Sequence, residues 1–181
     1  MNSRQLIGGG LLALGAFAAQ NTAAHAQRTG LIPVRAKIGV NLPRSSATKN
    51  FAGNVGYGAE ADIALPRLFG AGRTFVSAGY FQNSNNGNKL RMIPVTVGRY
   101  FAPPNPVGAV TGNVYFGAGL GPYFLRASSG GASTSKTTLG GFATAGYQFP
   151  NPYFIEAKYH LVGKVGGLNP SSLIIMGGRH F

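Results

Sequence analysis

The chain has 181 residues, of which 16 are Lys or Arg and 3 are Asp or Glu, so its formal charge is +13. Charged residues make up only 10% of the chain and hydrophobic residues 44%, which excludes a disordered chain and a helical bundle with a charged outer face. Glycine is abundant, at 29 residues, and favours strands and turns. The lack of cysteine excludes disulfides, Cys-based metal sites and a Cys nucleophile.

The first 26 residues have the features of a secretory signal peptide. Arg4 supplies a positive charge, a Gly/Ala/Leu-rich run follows, and Ala24-His25-Ala26 has the small-x-small pattern of a cleavage site. The apolar run is shorter than the roughly 20 residues that a transmembrane helix needs. We therefore expect a cleaved signal peptide at 1–26 and a single domain at 27–181.

The rest of the chain alternates between apolar and polar residues with the period of two that is typical of β-strands. Eight such segments occur, separated by short links rich in Gly, Pro, Asn and Ser. We predict strands at about 34–42, 55–65, 74–82, 89–101, 114–124, 138–149, 153–162 and 173–181.

The charge content indicates whether the apolar faces of these strands point into a protein core or toward lipid. A soluble surface is about a quarter to a third charged, and this chain has 10% in total. The faces opposite Glu60, Asp62 and Glu156 are apolar and uncharged. The sequence therefore predicts an all-β fold, an eight-stranded antiparallel up-and-down transmembrane β-barrel, with its apolar face toward lipid and its polar face toward the lumen.

Aromatic residues are expected to form two girdles, one at each rim of this barrel. The predicted inner rim holds Phe69, Tyr100, Phe101, Tyr115, Phe116, Tyr147, Phe149, Tyr153 and Phe181, and the predicted outer rim holds Phe51, Tyr80, Phe81, Tyr123 and Phe124.

The signal peptide, the eight alternating strands and the terminal Phe181 resemble the small outer-membrane barrels of Gram-negative bacteria, of the OmpW, OmpX and OmpA-transmembrane type. The segment Ile93-Pro94-Val95-Thr96-Val97-Gly98 is similar to a strand that recurs in this group. The resemblance implies location in the outer membrane and a C-terminal signal read by the barrel-assembly machinery, with periplasmic chaperones as further partners during biogenesis. Phe181, Ile175 and Leu173 match that signal, whereas Arg179 and Gly177 depart from it.

The lumen is predicted to hold an ion-pair network. Strands one and two should form a hairpin in which the numbers of two facing residues add to 97. This register pairs Lys37 with Glu60 and Arg35 with Asp62. Glu156 is expected to be matched by Lys158 or, across the lumen, by Arg91.

Other cations are predicted to lie in or beside the loops outside the cell. Four links should face outward, at 43–53, 83–88, 127–135 and 164–170, with both termini periplasmic. The nearby cations are candidates for contact with lipopolysaccharide phosphates or for simple solvation of loop ends: Arg44, Lys49, Lys89, Arg126, Lys136 and Lys164.

The sequence favours a structural, adhesive or membrane-maintenance role without catalysis. A narrow conduit for small hydrophobic or ionic solutes is the alternative, and a lipid-modifying enzyme is a third hypothesis. No cofactor, metal site or nucleic-acid partner is expected, since the two remaining histidines, His160 and His180, are too sparse for a metal site and the cations are scattered. Ser133-Thr134-Ser135-Lys136 matches an S-x-x-K motif but lacks the Ser-Asp-Asn motif that accompanies it in β-lactamases.

Overall fold

A computed structural model describes residues 34–65, 73–102 and 112–181. The predicted signal peptide at 1–26 and Phe69 of the predicted inner rim lie outside these residues. Eight strands and one short helix form in chain order: β1 Val34–Pro43, α1 Ser46–Ala52, β2 Gly56–Ala64, β3 Arg73–Asn85, β4 Asn88–Ala102, β5 Asn113–Ser129, β6 Ala132–Gln148, β7 Tyr153–Val162 and β8 Ser172–His180.

The strands close into one antiparallel barrel, in which each strand pairs with its neighbours in sequence and β8 pairs with β1. The backbone N–H of Phe181 donates to the carbonyl oxygen of Val34 at 2.9 Å, so the ends of β1 and β8 meet at one rim. The register of the first hairpin is the predicted one, with Lys37 opposite Glu60 and Arg35 opposite Asp62. The eight-stranded up-and-down barrel is therefore confirmed.

Burial alternates along the strands as the sequence pattern predicts. On β4, Ile93, Val95 and Val97 are exposed on the outward face while Met92 and Thr96 are buried inside. The same alternation gives the outside a broad belt of exposed apolar side chains, which includes Ile38, Tyr57, Ile63, Val114, Phe116, Leu120, Leu139, Ile155, Leu161 and Ile175. Among the described residues, no helix is long and apolar enough to cross a bilayer.

Two hairpins extend further than predicted. The expected loop at 127–135 is instead the end of β5, a two-residue Gly130-Gly131 turn and the start of β6. The expected loop at 83–88 reduces to a turn at Asn86 and Gly87, both with positive φ. Positive φ at both central positions is the geometry that closes a tight hairpin, and Asn-Gly adopts it readily. The Ser and Gly content of 127–135 favours a loop, but Thr is a good strand former and the strands continue through most of this segment.

The link at 43–53 contains the helix α1, which the sequence pattern did not predict. Its N-terminal Ser45 makes no side-chain capping bond, so the usual local signal is missing. Thr48 and Ala52 are fully buried, and the Thr48 hydroxyl donates to the carbonyl oxygen of Asn169 at 2.7 Å. Tertiary contacts with the barrel mouth, more than local sequence, therefore hold this helix.

The two predicted girdles are only partly correct. Phe101, Phe116, Tyr153 and Phe181 are exposed at one rim, and Tyr80 and Phe124 at the other. Four residues assigned to the girdles point inward instead and are buried, because their position along the strand places them on the lumen face: Phe81, Tyr100, Tyr115 and Tyr123.

Candidate functional site

The centre of the lumen holds a cluster in which one ammonium group meets every acidic side chain of the protein. Lys37 Nζ lies 2.5 Å from Glu60 Oε1, 2.9 Å from Asp62 Oδ2 and 3.0 Å from Glu156 Oε1. The sequence has three Asp and Glu residues in all, and these are the three. All four side chains are almost wholly shielded from solvent.

Arg35 forms the part of the cluster nearest to the rim where the termini meet. Its guanidinium lies 3.7 Å from Asp62 Oδ2 and 3.4 Å from Glu156 Oε2, and it also donates to the hydroxyls of Tyr100 and Tyr115. The same hydroxyls also donate to the carboxylates: Tyr100 donates to Asp62 at 3.0 Å and Tyr115 to Glu156 at 3.0 Å. The guanidinium carbon also sits 3.9 Å from the centre of the Phe154 ring, a cation–π contact.

Lys158 completes the cluster on the other side. Its ammonium contacts Glu60 and lies 3.8 Å from Glu156 Oε1 and 4.3 Å from the Phe142 ring centre. Ser77 donates to the remaining oxygen of Asp62 at 2.6 Å. Three cations therefore balance three anions, and hydrogen bonds satisfy most of their other polar atoms, as a buried charge requires.

Below this lumen network, on the side of the termini, lies an aromatic layer. Phe75 stacks on Tyr100 with ring centres 4.3 Å apart, and Tyr115 meets Tyr100 edge-on at 5.6 Å. Phe154 belongs to the same buried cluster, as does Phe142, which extends it toward Lys158 and His160. The rings of Tyr100, Tyr115 and Phe154 pack around the Arg35 guanidinium.

The half of the lumen at the α1 end holds a large apolar cluster beside the hydrogen bond between the buried Asn41 and Asn83. The cluster includes residues of α1 and of the link between β7 and β8, and consists of Ala52, Phe81, Leu90, Met92, Tyr123, Leu125, Ala127, Val162, Val165, Ile174 and Met176. His160 lies at its border with the lumen network, where its Nδ1 is 2.8 Å from the Tyr123 hydroxyl. At the mouth, Phe51 and Leu168 help to line a cavity of about 190 Å³.

Arg91 was wrongly assigned to the lumen. It lies on the outward face of β4, where its Nε donates to Gln82 Oε1 at 3.0 Å. The neighbouring Met92 is the residue that points inside. Six of the seven predicted network residues therefore come together. The contact with Glu156 that was predicted for Arg91 is made by Lys37 and Arg35.

The other predicted site residues lie along the last strand or at the α1 end of the barrel. Ile175 and Phe181 are exposed and Leu173 is half-buried, all on outward positions of the last strand or just after it. The six cations proposed for lipopolysaccharide contact are all exposed, in α1, in the extended hairpins or in the links at the α1 end of the barrel: Arg44, Lys49, Lys89, Arg126, Lys136 and Lys164.

Sequence reasoning missed the tyrosines and the serine that support the lumen network. Tyr100 and Tyr115 were predicted to lie in a girdle. On β4, however, the odd-numbered residues Ile93, Val95 and Val97 face outward, so the even-numbered Tyr100 faces the lumen. This alternation of odd and even positions along the strand is sufficient to predict its place. Within the described residues, no group of three or more His, Asp or Glu is arranged to hold a metal ion.

Comparisons with known proteins find the fold but no close relative. No family model matches the sequence, and no curated protein matches it. Among solved structures, Neisserial surface protein A (NspA) is similar with a TM-score of 0.61 and 14% identity, over 82% of this chain and 94% of that chain.

Two further structures align with lower scores. Ail, the attachment invasion locus protein of Yersinia pestis, has a TM-score of 0.48 and 18% identity, over 83% of this chain and 99% of its own. The N-terminal β-barrel domain of OprF from Pseudomonas aeruginosa has a TM-score of 0.48 and 15% identity, over 84% and 100%. The resemblance to the small outer-membrane barrels is thus confirmed at the level of the fold.

Proposed function

We propose that this protein is an integral outer-membrane barrel with a structural or membrane-maintenance role, and that it does not conduct solutes. The proposal rests on one observation, the ion-pair network that crosses the lumen. Lys37, Arg35 and Lys158 bind the three carboxylates across the middle of the barrel. An eight-stranded barrel has an interior just wide enough for side chains, so such a network leaves no continuous path at that level.

The outer-membrane location is supported by the outside of the barrel. The outward face is a belt of exposed aliphatic and aromatic side chains. Every carboxylate side chain is inside, so the outside carries none. A water-facing surface of this kind would be exceptional, whereas a hydrocarbon-facing surface excludes charge.

The proposed partner at the outer end is lipopolysaccharide. The six exposed cations at that end have no carboxylate side chain to pair with, because the lumen network uses all three. Phosphate is the anion that Arg and Lys bind best by charge-assisted hydrogen bonds.

Conductance across a planar bilayer tests the proposal. The refolded protein, shown to be folded by its shift in gel mobility on boiling, should give no conductance steps. Reproducible steps would establish the conduit hypothesis instead. Release or transfer of acyl chains from outer-membrane lipid by the same preparation would establish the enzyme hypothesis, and recovery of the native protein outside the outer-membrane fraction would refute the location.

A further inference from the structure

Two arginines lie directly opposite each other on the outward face of the barrel. Arg91 on β4 pairs with Arg126 on β5, while the next pair, Met92 with Leu125, is buried inside. Directly opposed side chains on antiparallel strands have Cβ atoms about 5 Å apart, and like charges at such positions destabilise the sheet. This rim arginine pair is therefore unfavourable unless an anion accompanies it.

The protein itself does not supply that anion. All three acidic side chains of the sequence are bound in the lumen network on the inside of the barrel wall. Lys89, two residues before Arg91, is exposed and adds a third positive charge to the same outward face. The patch is thus cationic, with no internal counter-charge.

Each guanidinium group makes one hydrogen bond to a polar neighbour, Arg91 to Gln82 on β3 and Arg126 to Ser133 on β6. Gln82 Oε1 accepts from Arg91 Nε at 3.0 Å and from the Tyr80 hydroxyl at 2.9 Å. A terminal nitrogen of Arg126 donates to Ser133 Oγ at 3.2 Å. Within the described part of the chain, these bonds use one N–H of each group out of five. Most of the donor capacity is left for a ligand.

The height of the pair on the barrel indicates what that ligand is. Moving toward the middle of the strands, the next outward pair is Ile93 with Phe124, both exposed. One outward step is two residues, about 6.6 Å along a strand. The rim arginine pair therefore lies directly above the apolar and aromatic belt, at the level where lipid headgroups meet a barrel.

We propose that Arg91 and Arg126 together form a binding site for the phosphate group of an outer-leaflet lipid. Two planar guanidinium groups can each bind a phosphate through two N–H donors, which lysines cannot do. The bound phosphate removes the repulsion between the two strands. The site rests on the proposed outer-membrane location and gives the lipopolysaccharide contact specific residues, including Arg91, for which charge complementarity with Glu156 predicted a place in the lumen.

Thermal unfolding of the refolded protein in uncharged detergent tests the site, with diphosphoryl lipid A, lipid A stripped of its phosphates, and phosphatidylglycerol as separate additions. Diphosphoryl lipid A should raise the melting temperature of the native protein, and the stripped form should not. In Arg91→Gln with Arg126→Gln, the lipid A concentration needed for half of this rise should increase at least tenfold. Arg91→Lys with Arg126→Lys should fall between the two.

The matched control removes two arginines from the opposite rim. Arg99 and Arg179 lie on outward positions near the ends of β4 and β8, and both are half-buried, as is Arg91. Arg99→Gln with Arg179→Gln should respond to lipid A at concentrations within threefold of the native protein. Without any lipid, Arg126→Gln should melt no lower than the native protein, since it removes a repulsion.

The outcomes separate the site from the proposed function. An equal loss of response in both double variants, or an unchanged response in Arg91→Gln with Arg126→Gln, overturns the site, while the conductance result is unaffected. No rise with diphosphoryl lipid A or with phosphatidylglycerol also overturns it. A rise with phosphatidylglycerol that depends on the same two arginines supports the phosphate site and assigns its ligand to the phospholipids.

Discussion

At the residue scale, Lys37 is the side chain on which the lumen network depends most. It lies within 3.0 Å of an oxygen of each of the three carboxylates. The two other cations of the network, Arg35 and Lys158, each contact only two of the three carboxylates. Loss of this ammonium would leave three buried anions facing two cations.

Lys37→Met should therefore lower the free energy of unfolding by about 3–5 kcal/mol, the usual cost of removing one partner of a buried ion pair. Adding Glu60→Gln to Lys37→Met restores equal numbers of charges and should recover part of the loss. Urea unfolding of the refolded barrel measures these two variants and Glu60→Gln alone. Simple additivity of the two single changes would show that Lys37 and Glu60 do not interact. Lys49→Met, an exposed lysine in α1, should change stability by no more than about 0.5 kcal/mol.

The sequence predicts the facing of individual residues correctly where the alternation of odd and even positions along a strand determines it. The pairs Lys37–Glu60 and Arg35–Asp62 follow from two strands joined by one link, since the apolar faces fix which residues share the lumen. Arg91 was misplaced because charge complementarity with Glu156 was given more weight than the outward parity of Ile93 and Val95. The Cα register also could not show that Lys37 reaches three carboxylates from different strands.

At the scale of the strands, β7 offers the clearest test of the lipid-facing surface. Ala157 lies midway along it, is exposed, and pairs with Ala145 on β6 and Ile175 on β8. Its surroundings on the outward face are therefore apolar and uncharged.

Ala157→Arg should lower the stability of the barrel in phospholipid vesicles by about 2–4 kcal/mol, because it places a cation in hydrocarbon. The same arginine at exposed Asn151, in the short turn before β7, should cost no more than about 0.5 kcal/mol. Unfolding titrations in vesicles compare the two. Equal tolerance of arginine at both positions would remove the assignment of this face to lipid.

The β5–β6 hairpin extends beyond the strands that flank it on one side. β6 pairs with β7 only from Gly140 onward, so residues 132–139 have no partner strand on that side. Replacing residues 127–134 by Asn-Gly would close the hairpin immediately after the paired Arg126 and Ser135.

The shortened protein should still fold, since the lumen network and the aromatic layer are untouched. Its shift in gel mobility on boiling should persist, and its midpoint in urea should stay close to that of the native protein. A shortened chain that fails to refold would show that the extension takes part in forming the barrel. The sequence did not reveal this extension because glycine and serine at 128–131 mark the turn but do not limit its length.

At the scale of the whole molecule, successive links between strands lie alternately at the two ends of the barrel. The ends of β1 and β8 meet at one rim, where Phe181 bonds to Val34, and the turn at 150–152 lies at that same end. The helix α1, both extended hairpins and the link after β7 lie at the other end. The even number of strands makes this arrangement necessary in an up-and-down barrel.

The end that carries α1 should face the outside of the cell. Cysteine introduced at Ser46 or Ser129, both exposed, should react with a membrane-impermeant reagent on intact cells, whereas cysteine at exposed Asn151 should react only after the outer membrane is opened. The chain has no native cysteine to interfere. Labelling of Asn151→Cys alone on intact cells would invert the orientation.

Fold class, strand number and the facing of the strands could be read from the sequence because they depend on a period-two pattern along each strand. The filling of the lumen could not, because it depends on how far long side chains reach between strands that are distant in sequence. Arg35, for example, contacts Tyr100 and Tyr115, which are 65 and 80 residues away.

Lys37 amounts to a counter-ion tethered to the barrel wall. Its ammonium lies 2.5–3.0 Å from an oxygen of each of the three carboxylates. In Lys37→Ala those three anions would face only Arg35 and Lys158, and a mobile cation from solution would have to supply the missing charge. Raising the NaCl concentration should therefore raise the melting temperature of Lys37→Ala more than that of the native protein. An identical response of both proteins would show that the carboxylates do not stay together once the lysine is gone.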